Sequence, residues 1–102
     1  MILAADVGAT NTRLGLFESS NGKLEPKLVR NFRNRDYNGL EAALGNFLSP
    51  GDHVDCACFG VAGPVVDGRV ELTNCEWVVD RCKLMTQLGT PRVALLNDME
   101  AT

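Results

Sequence analysis

The stretch Ile2 to Phe17, ILAADVGATNTRLGLF, constrains the chain more than any other. An apolar run from Ile2 to Ala5 ends at Asp6, as a buried strand does when a turn signal bounds it. Thr12, Leu14 and Leu16 then alternate with Arg13, Gly15 and Phe17, the period of a returning strand. Between the two runs lie Gly8, Ala9, Thr10 and Asn11, small or hydroxylic residues that let backbone N–H groups face one point. Such a turn can cradle an anion, and Asp6 beside it can hold a hydrated Mg²⁺. An ordinary β-hairpin with a polar turn has the same pattern, and short glycine motifs match by chance. The turn alone leaves both readings open.

The rest of the chain supplies an order of elements. Glu18 to Gly22 is a turn cluster in which Asn21-Gly22 is a strong hairpin signal, and Lys27 to Phe32 reads as a third, more polar strand near the sheet edge. Arg30, Arg33 and Arg35 lie in or just after it and read as a solvated basic edge. Leu40, Ala43, Leu44, Phe47 and Leu48 recur at helical spacing, and Ser49-Pro50-Gly51-Asp52 ends that helix. Cys56 to Ala62 is a nearly continuous apolar run, which predicts a strand buried on both faces. Reached through a helix, it runs parallel to the first strand or a neighbour. Gly63-Pro64 breaks it, and Asp67-Gly68 turns a small hairpin ending at Leu72. Thr73 to Trp77 is a polar stretch closed by the single tryptophan, a core or cleft-wall residue. Asp80 is placed to cap a second helix bearing Leu84, Met85 and Leu88, with Gly89 and Pro91 as its stop. Val93 to Leu96 is another buried strand, running into the first turn of a helix. Three strands in a meander followed by two helical crossovers describe an α/β, ribonuclease-H-like mixed sheet.

At 102 residues the chain is one domain at most, and its ending at a strand and the first turn of a helix reads as a fragment of a longer protein. Ten basic against 13 acidic residues leave a formal net charge of −3, no electrostatic footprint for nucleic acid or an anionic membrane. No apolar run approaches bilayer length and no leader is evident, so the expected location is the cytoplasm. Cys56, Cys58, Cys75 and Cys82 include no C-x-x-C pair, and His53 has no histidine partner. Reduced, largely buried thiols fit better than metal ligands.

If the later strands run parallel to the first, Asp6 and Asp98 flank one cleft at the carboxyl ends of strands, where open α/β sheets bind ligands. Asp98 can then take a proton from a substrate hydroxyl, with Asn97 hydrogen-bonding another. Asp98 is equally suited to capping the helix that starts at Met99.

DVGATNTRLGLF resembles the first phosphate motif of sugar kinases in the hexokinase, actin and heat-shock ATPase superfamily. CFGVAGPVVDGRVELTNCEW is similar to the stretch that bacterial glucokinases place before and across their sugar-binding loop. VALLNDMEAT resembles the segment carrying their catalytic aspartate. The three matches stand in the right order, at typical spacing, and cover nearly the whole chain. The resemblance implies an ATP-dependent kinase that converts glucose to glucose 6-phosphate, with residues 1–102 as its amino-terminal domain. It implies Asp98 as the base on the sugar's 6-hydroxyl, Asn97 as a sugar contact, Asn74 as a sugar contact or a residue that shapes the loop by turn chemistry, and Asp6 as the residue positioning Mg²⁺ through water. Gly8, Ala9, Thr10 and Asn11 would lie against the ATP phosphates, and the full-length protein would be a homodimer. Arg13 is expected in a structural ion pair. Where many relatives have a second glycine this chain has Ala9, whose methyl group disfavours positive φ. The family's second phosphate loop, adenosine site and further sugar-binding residues lie beyond Thr102. A kinase for another hexose or amino sugar, and a catalytically silent sugar-binding module, share these motifs.

Overall fold

The amino-terminal hairpin is built from β1 (Ile2–Val7) and β2 (Asn11–Ser20), antiparallel, with Asp6 opposite Arg13 and Val7 opposite Thr12. It belongs to a computed structural model that describes residues 1–72 and 77–97. A two-residue turn leads into β3 (Lys23–Arg33). Asn21 and Gly22 there take φ of 53° and 77°, the positive values that match such a turn to the twist of its strands. The third strand is longer than its apolar pattern predicts and includes Pro26. At the edge of the sheet a residue lacking an N–H is tolerated.

One 3₁₀ turn (Asn34–Asp36) joins β3 to α1 (Leu40–Phe47), which leads to β4 (Cys56–Val61). Asp67 and Gly68 turn tightly at φ of 52° and 72°. β5 (Arg69–Leu72) and β6 (Trp77–Asp80) then pair as a separate two-stranded sheet. The last elements are α2 (Arg81–Leu88) and β7 (Val93–Asn97). The Asp80 carboxylate accepts from the backbone N–H groups of Cys82 and Lys83, and Gly89 closes α2 at φ 70°, a conformation glycine adopts without a Cβ penalty.

The main sheet has the order β3-β2-β1-β4-β7. β4 runs parallel to β1, and β7 runs parallel to β4. This is the mixed, ribonuclease-H-like sheet that the meander and crossovers predict. β6 is an addition. Trp77 and Val79 are buried in it while Val78 between them is exposed, an alternation hidden by its polar approach.

From β1 to β4 to β7 the chain steps across the sheet in one direction. Two right-handed crossovers in one direction must lie on one face. Leu3, Val7, Leu14, Phe59 and Val61 therefore pack on that face with Leu40, Leu44, Phe47, Trp77 and Leu84 in one cluster. On the opposite face Ala4, Cys58 and Ala94 are exposed. The apolar run of β4 predicts cover on both sides, whereas the described residues cover one. The cysteines follow suit: Cys56 is half-buried, while Cys58 and Cys82 are exposed and all three are free thiols. The largely buried thiols expected from sequence are corrected accordingly; Cys75 lies outside the described residues. On the open face the Phe17 ring lies over Gly15, where a Cβ would come within 2.8 Å of ring carbon. Among the described residues no helix is long and apolar enough to cross a membrane.

Candidate active site

Three parallel strand ends define the site. Val7 lies opposite Val61, and Val61 opposite Asn97, so β1, β4 and β7 finish in one row. Neighbouring strands are spaced at about 4.8 Å, which sets Asn97 roughly 10 Å from the end of β1. One residue back, Asp6 is in register with Gly60 and Leu96. Gly60 has no side chain, so nothing on β4 rises between the Asp6 carboxylate and β7. Asp6 is exposed and Asn97 is half-buried. Asp98 follows directly in the chain; it and Asn74 lie outside the described residues.

The turn between β1 and β2 is tight for a specific reason. The Gly8 N–H donates to the Asn11 carbonyl at 2.9 Å, and a Cβ on Gly8 would meet that same oxygen at 2.9 Å. A backbone oxygen cannot move aside as a flexible side chain can, so residue 8 must be glycine. This bond engages the Gly8 amide within the turn. Ala9 is not among the described residues with positive φ. Its methyl group therefore costs the backbone nothing. Ala9 is half-buried, and Thr10 and Asn11 are exposed.

A residue that sequence reasoning missed supports the turn. Asn34, 1% exposed, donates through Nδ2 to the Gly8 carbonyl at 2.7 Å. Its Oδ1 accepts from Thr12 Oγ1 at 2.8 Å, and its backbone N–H donates to the Thr10 carbonyl at 2.9 Å. Set between Arg33 and Arg35, Asn34 reads as part of a solvated basic edge. Thr12 and Gly8, which its side chain bonds, stand 22 and 26 positions away, beyond any local pattern.

Arg13 departs from expectation. It is exposed opposite Asp6, and among the described residues it forms no ion pair. Asp6 and Arg13 instead line an open-face cavity of about 280 Å³ with Gly15, Phe17 and Val29. Trp77 is 2% exposed, and its Nε1 donates to the Tyr37 carbonyl at 3.2 Å. That makes it a core residue with a satisfied polar tip.

No group of three or more His, Cys, Asp or Glu converges among the described residues. A protein cage for a metal is therefore not formed by them. A single exposed carboxylate at Asp6 does suit Mg²⁺, which keeps several waters and takes other ligands from substrate phosphates.

The chain as a whole has relatives among known proteins. The glucokinase family model matches residues 3–102. A glucokinase from Nostoc sp. is 35% identical over 99% of this chain, and one from Brucella abortus is 34% identical over 98%. The matches take in 31% and 29% of those proteins, so the chain spans about a third of the length of these curated relatives. The crystal structure of a glucokinase from an Antarctic psychrotroph superposes with a TM-score of 0.86 at 30% identity, over 98% of this chain and 33% of that one. A glucokinase from Balamuthia mandrillaris, solved in complex with glucose, shares the fold at a TM-score of 0.58 and 21% identity, over 97% and 30% of the two chains. With a matching model from residue 3 to residue 102, and relatives aligned over nearly all of its length, the chain belongs to the glucokinase family.

Proposed function

We propose that residues 1–102 are the amino-terminal, small domain of a longer kinase that transfers the terminal phosphoryl group of ATP to glucose, the first step of glycolysis. The observation that carries this reading is the common row of Val7, Val61 and Asn97. The β1–β2 turn stands at one end of that row and Asn97 at the other; Asp98 is the next residue in the chain.

In this reading Asn97 and Asn74 hydrogen-bond sugar hydroxyls. Asp98 accepts the proton of the 6-hydroxyl as that oxygen attacks the phosphoryl group. Backbone N–H groups of the turn from Gly8 to Asn11 orient the phosphates, and Asp6 holds a water-bound Mg²⁺. The metal, when bound, neutralises phosphate charge, which with positioning is most of what phosphoryl transfer requires. The remaining two-thirds of the protein supplies the other half of the nucleotide site, and the whole works as a cytoplasmic homodimer.

Asp98→Asn in the full-length protein tests the reading. Removing a general base costs about 100- to 10,000-fold, so kcat should nearly vanish while glucose still binds by calorimetry. A variant that keeps most of its turnover would exclude Asp98 as the base. Residues 1–102 alone should phosphorylate nothing, and ATP-dependent turnover by them would refute the division of the site.

A further inference from the structure

We infer that Asn34 is a positioning residue that aims the phosphate-binding amides of the β1–β2 turn; this rests on the proposed kinase reading. The inference follows from peptide geometry. In a trans peptide the C=O of one residue and the N–H of the next point in opposite directions, and the described residues contain no cis bond. Asn34 holds the Gly8 carbonyl through Nδ2 and the Thr10 carbonyl through its own backbone N–H. Both carbonyls are thereby drawn toward buried Asn34. The amides in the same two peptide planes, those of Ala9 and Asn11, must point the other way, off the turn. The Gly8 amide is committed to the Asn11 carbonyl. Ala9 and Asn11 therefore carry the N–H groups that this brace presents to an anion.

The brace is itself set in place. Thr12, fully buried on β2, donates its hydroxyl to Asn34 Oδ1, which leaves Nδ2 as the end of the amide facing Gly8. One side chain thus links a strand interior to the turn. A buried amide without partners would be costly, and here the pairing that removes the cost also sets the two peptide planes. Asn34 touches no substrate in this scheme. It acts through the backbone.

The test uses the full-length protein and two substitutions of different severity. Thr12→Val keeps the shape of a β-branched strand residue and removes one bond; Asn34→Leu removes the side-chain bonds to Gly8 and Thr12 at similar volume. Circular dichroism identifies the variants that fold, and Thr12→Val remains informative if Asn34→Leu does not. Each lost bond corresponds to about 2- to 10-fold in an equilibrium constant. KM for ATP should therefore rise about 3-fold in Thr12→Val and about 10-fold or more in Asn34→Leu. KM for glucose should stay within about 2-fold, and amide exchange at Ala9 and Asn11 should quicken in both variants. Equal rises in both KM values would mark a merely structural role and overturn the inference. So would an unchanged KM for ATP, or unchanged exchange, in a folded variant. An unmodified full-length protein that consumes no ATP with glucose overturns the kinase reading itself, and the inference falls with it.

Discussion

The two turns of the meander differ in what holds them. The β2–β3 turn at Asn21-Gly22 owes its shape to two residues with positive φ, and all of its surroundings from Glu18 to Asn31 are exposed. The β1–β2 turn has no residue of positive φ. It is shaped instead by an internal bond and by Asn34, buried and reaching from the far end of β3. One turn is local chemistry, which any hairpin can supply. The other is tied to the core through buried Asn34, the kind of support that the proposed phosphate site would require. Tertiary support, more than glycine content, separates the two turns.

Gly8→Val attacks the first turn at its tightest contact and should have the largest effect. Forcing the turn off the Asn11 carbonyl displaces the amides by a fraction of an ångström or more. A misplacement near 1 Å can cost about 100-fold, so kcat/KM for ATP in the full-length protein should fall by that order. Near-normal kinetics would mean the two turns are not different in kind. Gly22→Ala is the matched change in the second turn. It places a Cβ at φ 77° with nothing within 4 Å, so only backbone strain of about 1 kcal/mol is at stake. The melting temperature should drop by a few degrees with kinetics unaltered; a change in KM for ATP would break the contrast. Smaller still is Lys27→Ala, which removes a 3.5 Å pair with Glu18 near the second turn. Both partners are half exposed, and such pairs are worth about 0–1 kcal/mol before salt screening. No measurable shift at physiological salt is expected.

The last test lies at the opposite end of β1, where position is held by charge. The Met1 ammonium donates to Asp55 Oδ2 at 2.8 Å, and His53 Nε2 lies 3.0 Å from Oδ1. The hydrogen bond and charge of the ammonium, then His53, hold the Asp55 carboxyl below its ordinary value. A lowered folded-state pKa stabilises above the unfolded value and is lost as pH falls through the folded one. The contribution is therefore intact at neutral pH and fades below about pH 4. Asp55→Asn should flatten the acid limb of a melting-temperature profile, slightly because the carboxylate is exposed. An unchanged limb would remove Asp55 as a contributor.

Local signals account for much of the fold. Asn21-Gly22, Asp67-Gly68, the Asp80 cap and the Gly89 stop act within a few residues, and each forms where its sequence predicts. Cover on the sheet was not legible in the same way. Cys56, Cys58 and Gly60 are small enough to suit a buried or an open face, so an apolar run of such residues does not say what lies above it. In the candidate site Asp6, the turn and Asn97 take the strand-end places their motifs predict, because strand ends follow from apolar runs. Asn34 had no such signal. Its bonds to Gly8, Thr10 and Thr12 exist only once β3 has folded back beside β2.

The parallel placement of β4 beside β1 has a consequence during synthesis. β1 pairs on one side with β2, a few residues along, and on the other with residues 56–61. A ribosome delivering the chain in order releases a complete meander while the second edge of Ile2–Val7 still has no partner. Unpaired edges of apolar strands recruit other chains, and nascent domains are most exposed before their distant strands arrive. The interval between residues 33 and 56 is thus the window in which a chaperone would protect this domain, and slow translation there would lengthen the hazard.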